Sequence, residues 1–182
     1  IKFNDADLAE LIFHELTHQR LYISGDTTFN ESFATATAQA ATLKWLAARG
    51  NEDTVKKYAA SVRRLDRITQ KLRNTRDKLD TLFSQLHESV ASQRKCKAGI
   101  YQTLRAELKL LQNEPGFSDV KNRRQAPMNN ATLGSIAVYH KHVPAFRKLF
   151  ENCNQKFPEY FKAAGRLGKL PRAERHRALK AL

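Results

Sequence analysis

Two imidazoles and a carboxylate open this chain at a spacing suited to a divalent metal. The stretch His14-Glu15-Leu16-Thr17-His18 sets two histidines four residues apart. On an α-helix such residues share a face, with Cβ atoms about 5–6 Å apart. Both rings can then reach one tetrahedral ion, with Zn–N bonds of about 2.0–2.1 Å. Glu15 points to the edge of such a site rather than into it. There its carboxylate can take a proton from a metal-activated water without being a ligand. That chemistry is hydrolysis, and the pattern is that of a metallopeptidase acting on a peptide substrate.

A catalytic zinc takes three protein ligands and keeps one position open. Glu31 is the best third ligand, and the expected cofactor is one Zn²⁺ per chain. Asp5, Asp7, Glu10 and Asp26 are rivals. The elements that must bring these groups together are two helices. Leu8, Leu11, Ile12 and Leu16 recur at three- and four-residue steps, which is helical periodicity, and Asn4 or Asp5 can cap the start. Gly25-Asp26-Thr27-Thr28 reads as a turn. A second helix is expected from Asn30 to about Arg49, ended by Gly50, with Asn51 capping the next. It carries Ala34, Ala36, Ala38, Ala40 and Ala41, small enough for two helices to approach and share an ion. Burying two histidines and a glutamate among apolar residues also needs a reason, because buried charge is costly unless paired or coordinated.

His14-Glu15-x-x-His18 followed by Asn30-Glu31-x-x-Ala34 resembles the gluzincin pattern of zinc peptidases. The longer stretches Leu11–Gln19 and Asp26–Thr35 resemble a bacterial family of zinc aminopeptidases. Pro127-Met-Asn-Asn-Ala131, Tyr139-His-x-x-Val-Pro-Ala-Phe146 and Pro171-Arg-Ala-Glu-Arg-His176 are similar to its C-terminal part. The resemblance implies zinc ligands His14, His18 and Glu31, with Glu15 as general base. Gluzincins often place an Asp four residues after the ligand Glu to orient a ligand His. Here that residue is Thr35, so the support around the ligands must be built differently. Such peptidases usually need an upstream sheet lining the substrate cleft, so the chain is expected to be a C-terminal piece of a longer protein. Many full-length members carry a lipoprotein-type signal, which implies a cell-envelope location.

The chain of 182 residues is long enough for a real core, and its net charge is +14. The charge is uneven. Residues 1–50 hold four Lys and Arg against six Asp and Glu, so the remainder carries +16. A basic surface favours anionic partners and says nothing about fold. No apolar run approaches the ~18 residues of a membrane span. Cys96 and Cys153 form no metal pattern. They are either a bridge or two isolated thiols.

The expected fold is mainly α. A zincin-like active-site helix pair occupies residues 1–50, a long antiparallel helical hairpin residues 51–114, and short helices residues 115–182, packing on the zinc-site pair. From Glu52 to about Ser92 there is neither Pro nor Gly, and Tyr58, Leu65, Leu72, Leu79 and Leu86 fall at heptad steps. Val55, Val62, Phe83 and Val90 fill a companion stripe, with Thr69 and Arg76 as polar breaks. About 40 helical residues would reach roughly 60 Å. Cys96, Ile100, Leu104, Leu108 and Leu111 form the returning stripe. The turn is placed at 92–97, or else one helix continues through Gly99. Arg63, Arg64, Arg67, Lys71, Arg73, Arg76 and Lys78 make a basic face. It is read as solvated, with ion pairs to Asp66, Asp77 and Asp80, because aromatic residues for base stacking are not interleaved. Nucleic acid is therefore disfavoured, while an anionic membrane surface stays open. Pro144, Pro158 and Pro171 begin the short helices.

Residues 115–128 are read as a loop, with Lys121-Asn-Arg-Arg124 exposed. His87 and His176 are expected at the surface. Peptide hydrolysis builds negative charge on the carbonyl oxygen, and a donor aimed there is worth several kcal/mol. Tyr139 is the first candidate for that donor and His140 the second. The alternative is that Tyr139 packs in the core beside Phe146. Asp26, Asn30, Thr35, Asn129 and Asn130 are candidates for supporting the ligands or binding substrate, with capping or turn roles equally open to Asn129 and Asn130. The competing function is a non-catalytic basic helical module binding RNA or anionic membrane, with a structural or vestigial metal site. A fourth protein ligand such as His140 would mark it.

Overall fold

The computed structural model describes residues 4–84, 89–112, 133 and 139–182. Among them the fold is helical throughout: α1 (Asp5–Arg20), α2 (Thr27–Ala48), α3 (Glu52–Ser84), α4 (Val90–Gln112), α5 (Val143–Asn152), α6 (Phe157–Gly168) and α7 (Arg172–Lys180). The mainly α expectation holds. The chain divides into two compact units, Ile1–Ala59 with Val138–Leu182, and Ala60–Ala137. The division falls within α3.

In the first unit the core is aromatic. Phe29 and Phe33 of α2 meet Val143, Phe146 and Phe150 of α5, Tyr160 and Ala164 of α6, and Leu179 of α7. Phe29, Phe33 and Phe146 are fully buried, with ring centroids 5.0–6.1 Å apart. Edge and tilted contacts of this kind add about 0.5–1.5 kcal/mol per pair beyond burial. The caps follow the sequence closely. The Asn4 side chain accepts from the Asp7 N–H and starts α1. Gly50 takes φ +73° after α2, a left-handed conformation that glycine adopts without Cβ strain. Asn51 then accepts from Thr54 at 3.0 Å. Pro144 and Pro158 lie in the first turns of α5 and α6, and Pro171 caps α7.

Helix α2 begins at Thr27, earlier than the expected Asn30, because Asp26 accepts the Phe29 N–H and acts as its N-cap. Residues 27 and 28 therefore belong to the helix rather than to a turn. The apolar stripe that signalled α1 is not its buried face. Leu8, Leu11, Ile12 and Leu16 are 45–53% exposed, and Ala9 and Thr17 face inward instead.

In the second unit α3 and α4 form an antiparallel hairpin. Leu72, Leu79 and Leu82 pack with Tyr101, Leu104 and Leu133. Lys71 pairs with Glu107 at 2.9 Å, and the Lys97 ammonium lies 5.9 Å from the centre of the Phe83 ring. Pairings of 71 with 107 and 83 with 97 fix the antiparallel sense. Helix α4 begins at Val90, so it already covers the expected turn at 92–97, and it runs straight through Gly99. The stripe also drifts from strict heptads. Thr69 and Thr75 are buried, whereas Leu65, Phe83 and Val90 are exposed. Cys96 is exposed too, and both cysteines are free thiols. His87, Leu86, Asn129, Asn130 and the 121–124 loop lie outside the described residues.

Leu104, at 1% exposure, is central to the hairpin core, and Leu110, at 70%, is outside it. Leu104→Ala is expected to destabilise the protein by about 2–5 kcal/mol, and Leu110→Ala to stay within about 0.5 kcal/mol. Urea denaturation followed by circular dichroism reads both. Equal effects would contradict this packing.

Candidate metal centre

Helix α1 packs against α2. Ala34 and Ala38 are fully buried on α2, so their small side chains permit the close approach. Between the two histidines of α1, Thr17 is buried and its hydroxyl donates to the Phe13 carbonyl at 2.6 Å. That bond turns a polar side chain back onto its own helix and leaves the flanking imidazoles on the side facing α2.

Three side chains converge there, with one donor atom of each within 4.8 Å of the others. His14 Nε2 and His18 Nε2 are 3.2 Å apart. His14 Nε2 is 3.3 Å from Glu31 Oε2, and His18 Nε2 is 3.6 Å from Glu31 Oε1. Donors bonded tetrahedrally to zinc at about 2.0–2.1 Å must be separated by about 3.3–3.4 Å. The nitrogen–nitrogen separation and the His14–Oε2 separation lie close to that value, and the 3.6 Å contact of His18 is to the other oxygen of the same carboxylate. No other His, Cys, Asp or Glu among the described residues joins this group. The set is two nitrogens and one oxygen, which fits zinc and leaves a coordination position for solvent. The three side chains are about a fifth exposed, so they are open to solvent. Glu15, next to His14 on α1, is exposed.

The family model described as "Putative aminopeptidase" matches residues 1–179. The chain belongs to that family. No curated protein and no solved structure gives a significant match.

The other acidic residues of this aminopeptidase-family chain are placed elsewhere. Asp7 is bonded to Asn4 at the start of α1, and Asp5 is exposed. Glu10 lies near the buried Tyr58 hydroxyl; burial, then the Glu10 charge, push that hydroxyl far above its ordinary value. Asp26 is 1% exposed. Its carboxylate pairs with Arg175 Nη1 at 2.5 Å and His176 Nε2 at 2.9–3.0 Å. It is therefore an interior cap and ion-pair partner, not a surface group available to a substrate amine. His176, expected at the surface, is half-buried against it and stacks edge-on with His142.

Asn30 is likewise an interior clamp. Its side chain accepts from the Ile23 N–H and donates to the Ile23 carbonyl, both at 2.8 Å. Thr35 is buried but makes no hydrogen bond to His18, whose Nδ1 is buried without a partner among the described residues. The Asp that usually orients a ligand histidine thus has no substitute among those residues. Tyr139 is 44% exposed and does not join the core beside Phe146. The Ser32 hydroxyl ties this segment to α2: it donates to the Tyr139 carbonyl at 3.3 Å and accepts from the His142 N–H at 3.1 Å. Tyr139 is thereby held next to the residue that follows Glu31. His140 is half-buried. Sequence reasoning missed Ser32, Arg175 and the role of His176. Only the tertiary fold brings residues 107–150 positions apart together.

Burial alone would raise the Asp26 pKa. The Phe29 N–H, His176 and Arg175 outweigh it and hold the carboxyl below its ordinary value. A depressed carboxyl adds stability above its unfolded pKa, about 3.9, and that stability is lost as pH falls through the folded value. Asp26→Asn should cost about 3–5 kcal/mol at pH 7 by stranding Arg175. The deficit should narrow in urea titrations as pH drops below about 4. A deficit independent of pH would contradict the assignment.

Proposed function

We propose that this chain is a zinc-dependent peptidase, acting as an aminopeptidase, with His14, His18 and Glu31 as the ligands of one Zn²⁺. The observation that carries the reading is the convergence of two imidazole nitrogens 3.2 Å apart on one carboxylate, whose two oxygens lie 3.3 and 3.6 Å from them. Zinc, when bound, would polarise the substrate carbonyl and acidify water at the open position.

The chain's own residues do the rest. The Glu15 carboxylate takes the proton of the attacking water and delivers it to the leaving amine nitrogen. It suits that role because it is exposed beside His14 and is not one of the converging donors. The Tyr139 hydroxyl, on the segment that Ser32 anchors beside Glu31, donates to the carbonyl oxygen as its negative charge develops, with His140 in reserve. A free-amine preference requires an acidic group at the substrate's N-terminus. Asp26, closed off by Arg175 and His176, is not that group.

Glu15→Gln is expected to keep zinc while kcat falls by about 10²–10⁴-fold. Elemental analysis and a peptide hydrolysis assay read the two quantities, and an active Gln variant would overturn the role of Glu15. His14→Ala and Glu31→Ala are each expected to lose the metal. Hydrolysis of a free peptide but not its N-acetylated form is expected, and equal cleavage of both would make the enzyme an endopeptidase.

A further inference from the structure

Glu31 is held in place indirectly. Its carboxylate faces His14 and His18, and its position along α2 depends on how the start of that helix is fixed. The residues on either side are both buried and tied down: Asn30 to the Ile23 backbone, Ser32 to Tyr139 and His142. One turn earlier, Asp26 caps the helix and receives Arg175 and His176 from α7. Arg175 Nη2 also donates to the Gly168 and Leu170 carbonyls, at 3.2 and 2.9 Å. Its guanidinium lies 5.3 Å from the centre of the Phe29 ring.

A buried ion pair is a poor way to gain stability, because apolar residues of similar volume often serve as well. What an Arg fork offers over them is geometric definition, with donors fixed in a plane. Here the fork links the last helix, the α6–α7 connection and the α2 cap at a single point. We propose that Arg175 and His176 are positioning residues of the metal centre: acting through Asp26, they fix the first turn of α2 and so hold Glu31 against His14 and His18. This rests on the zinc reading above.

The double variant Asp26→Asn/Arg175→Met tests it. Asn retains the capping acceptor, and no buried charge is stranded. Zinc affinity would be measured by competition with a chromogenic chelator, and ligand geometry by the visible spectrum of the Co²⁺ form. Affinity is expected to fall about tenfold or more, in the range seen when groups supporting metal ligands are removed, and the Co²⁺ bands should weaken. Leu179→Ala, a core truncation on the same helix that leaves Asp26 untouched, is expected to lower stability while zinc affinity stays within about twofold. If the double variant does not fold, His176→Phe alone should weaken zinc severalfold. Wild-type affinity in the double variant, or an equal loss in Leu179→Ala, would overturn the positioning role. A wild-type chain that takes up no zinc would sink the metal reading itself, and that result is seen before any variant is made.

Discussion

The structure depends on bringing two imidazole nitrogens and one carboxylate together across two helices, with nearest separations of 3.2 Å between the nitrogens and 3.3 and 3.6 Å from each nitrogen to its own carboxylate oxygen. Crowding such donors costs free energy unless a cation or proton offsets it. Two imidazole nitrogens and a carboxylate at tetrahedral edge spacing are therefore the feature that most needs an explanation, and a zinc ion supplies one. The small residues of α2, the inward-turned Thr17 hydroxyl and the aromatic core beneath Phe29 and Phe33 all serve to hold α1 and α2 in that register.

The C-terminal helices do two things for the site. Through Phe146, Phe150 and Tyr160 they supply the apolar mass against which α2 is fixed. Through polar contacts they hold both flanks of Glu31, with Arg175 and His176 at the cap and residues 139–142 at Ser32. A cluster of side chains on two adjacent helices therefore draws on residues more than a hundred positions away. The exposed face of α1, with Leu8, Leu11, Ile12 and Leu16, sits on the opposite balance: apolar side chains left in solvent.

The convergence of His14, His18 and Glu31 was legible in the sequence because its information is local. An i, i+4 histidine pair and a glutamate just after a short connection need only helical geometry to converge. Helix ends marked by Asn4, Gly50, Asn51 and the prolines were legible for the same reason. Periodicity gave helix type but not which face is buried. The α1 stripe is exposed, and in α3 Thr69 and Thr75 are buried where Leu65 is not, because burial depends on what packs opposite. Asp26 and Asn30 looked like site residues from their proximity to Glu31. Their partners at Arg175, His176 and Ile23 turned them inward, which no local pattern could indicate.

The central claim is that one zinc ion is bound by two imidazoles and one carboxylate, with a position left for solvent. Zinc-edge X-ray absorption on the metal-loaded chain tests it most directly. The account predicts one zinc per chain, two imidazole scatterers and oxygen neighbours, all at about 2.0–2.2 Å. A zinc surrounded by sulfur, one closed by four protein ligands, or a chain that retains none would contradict it.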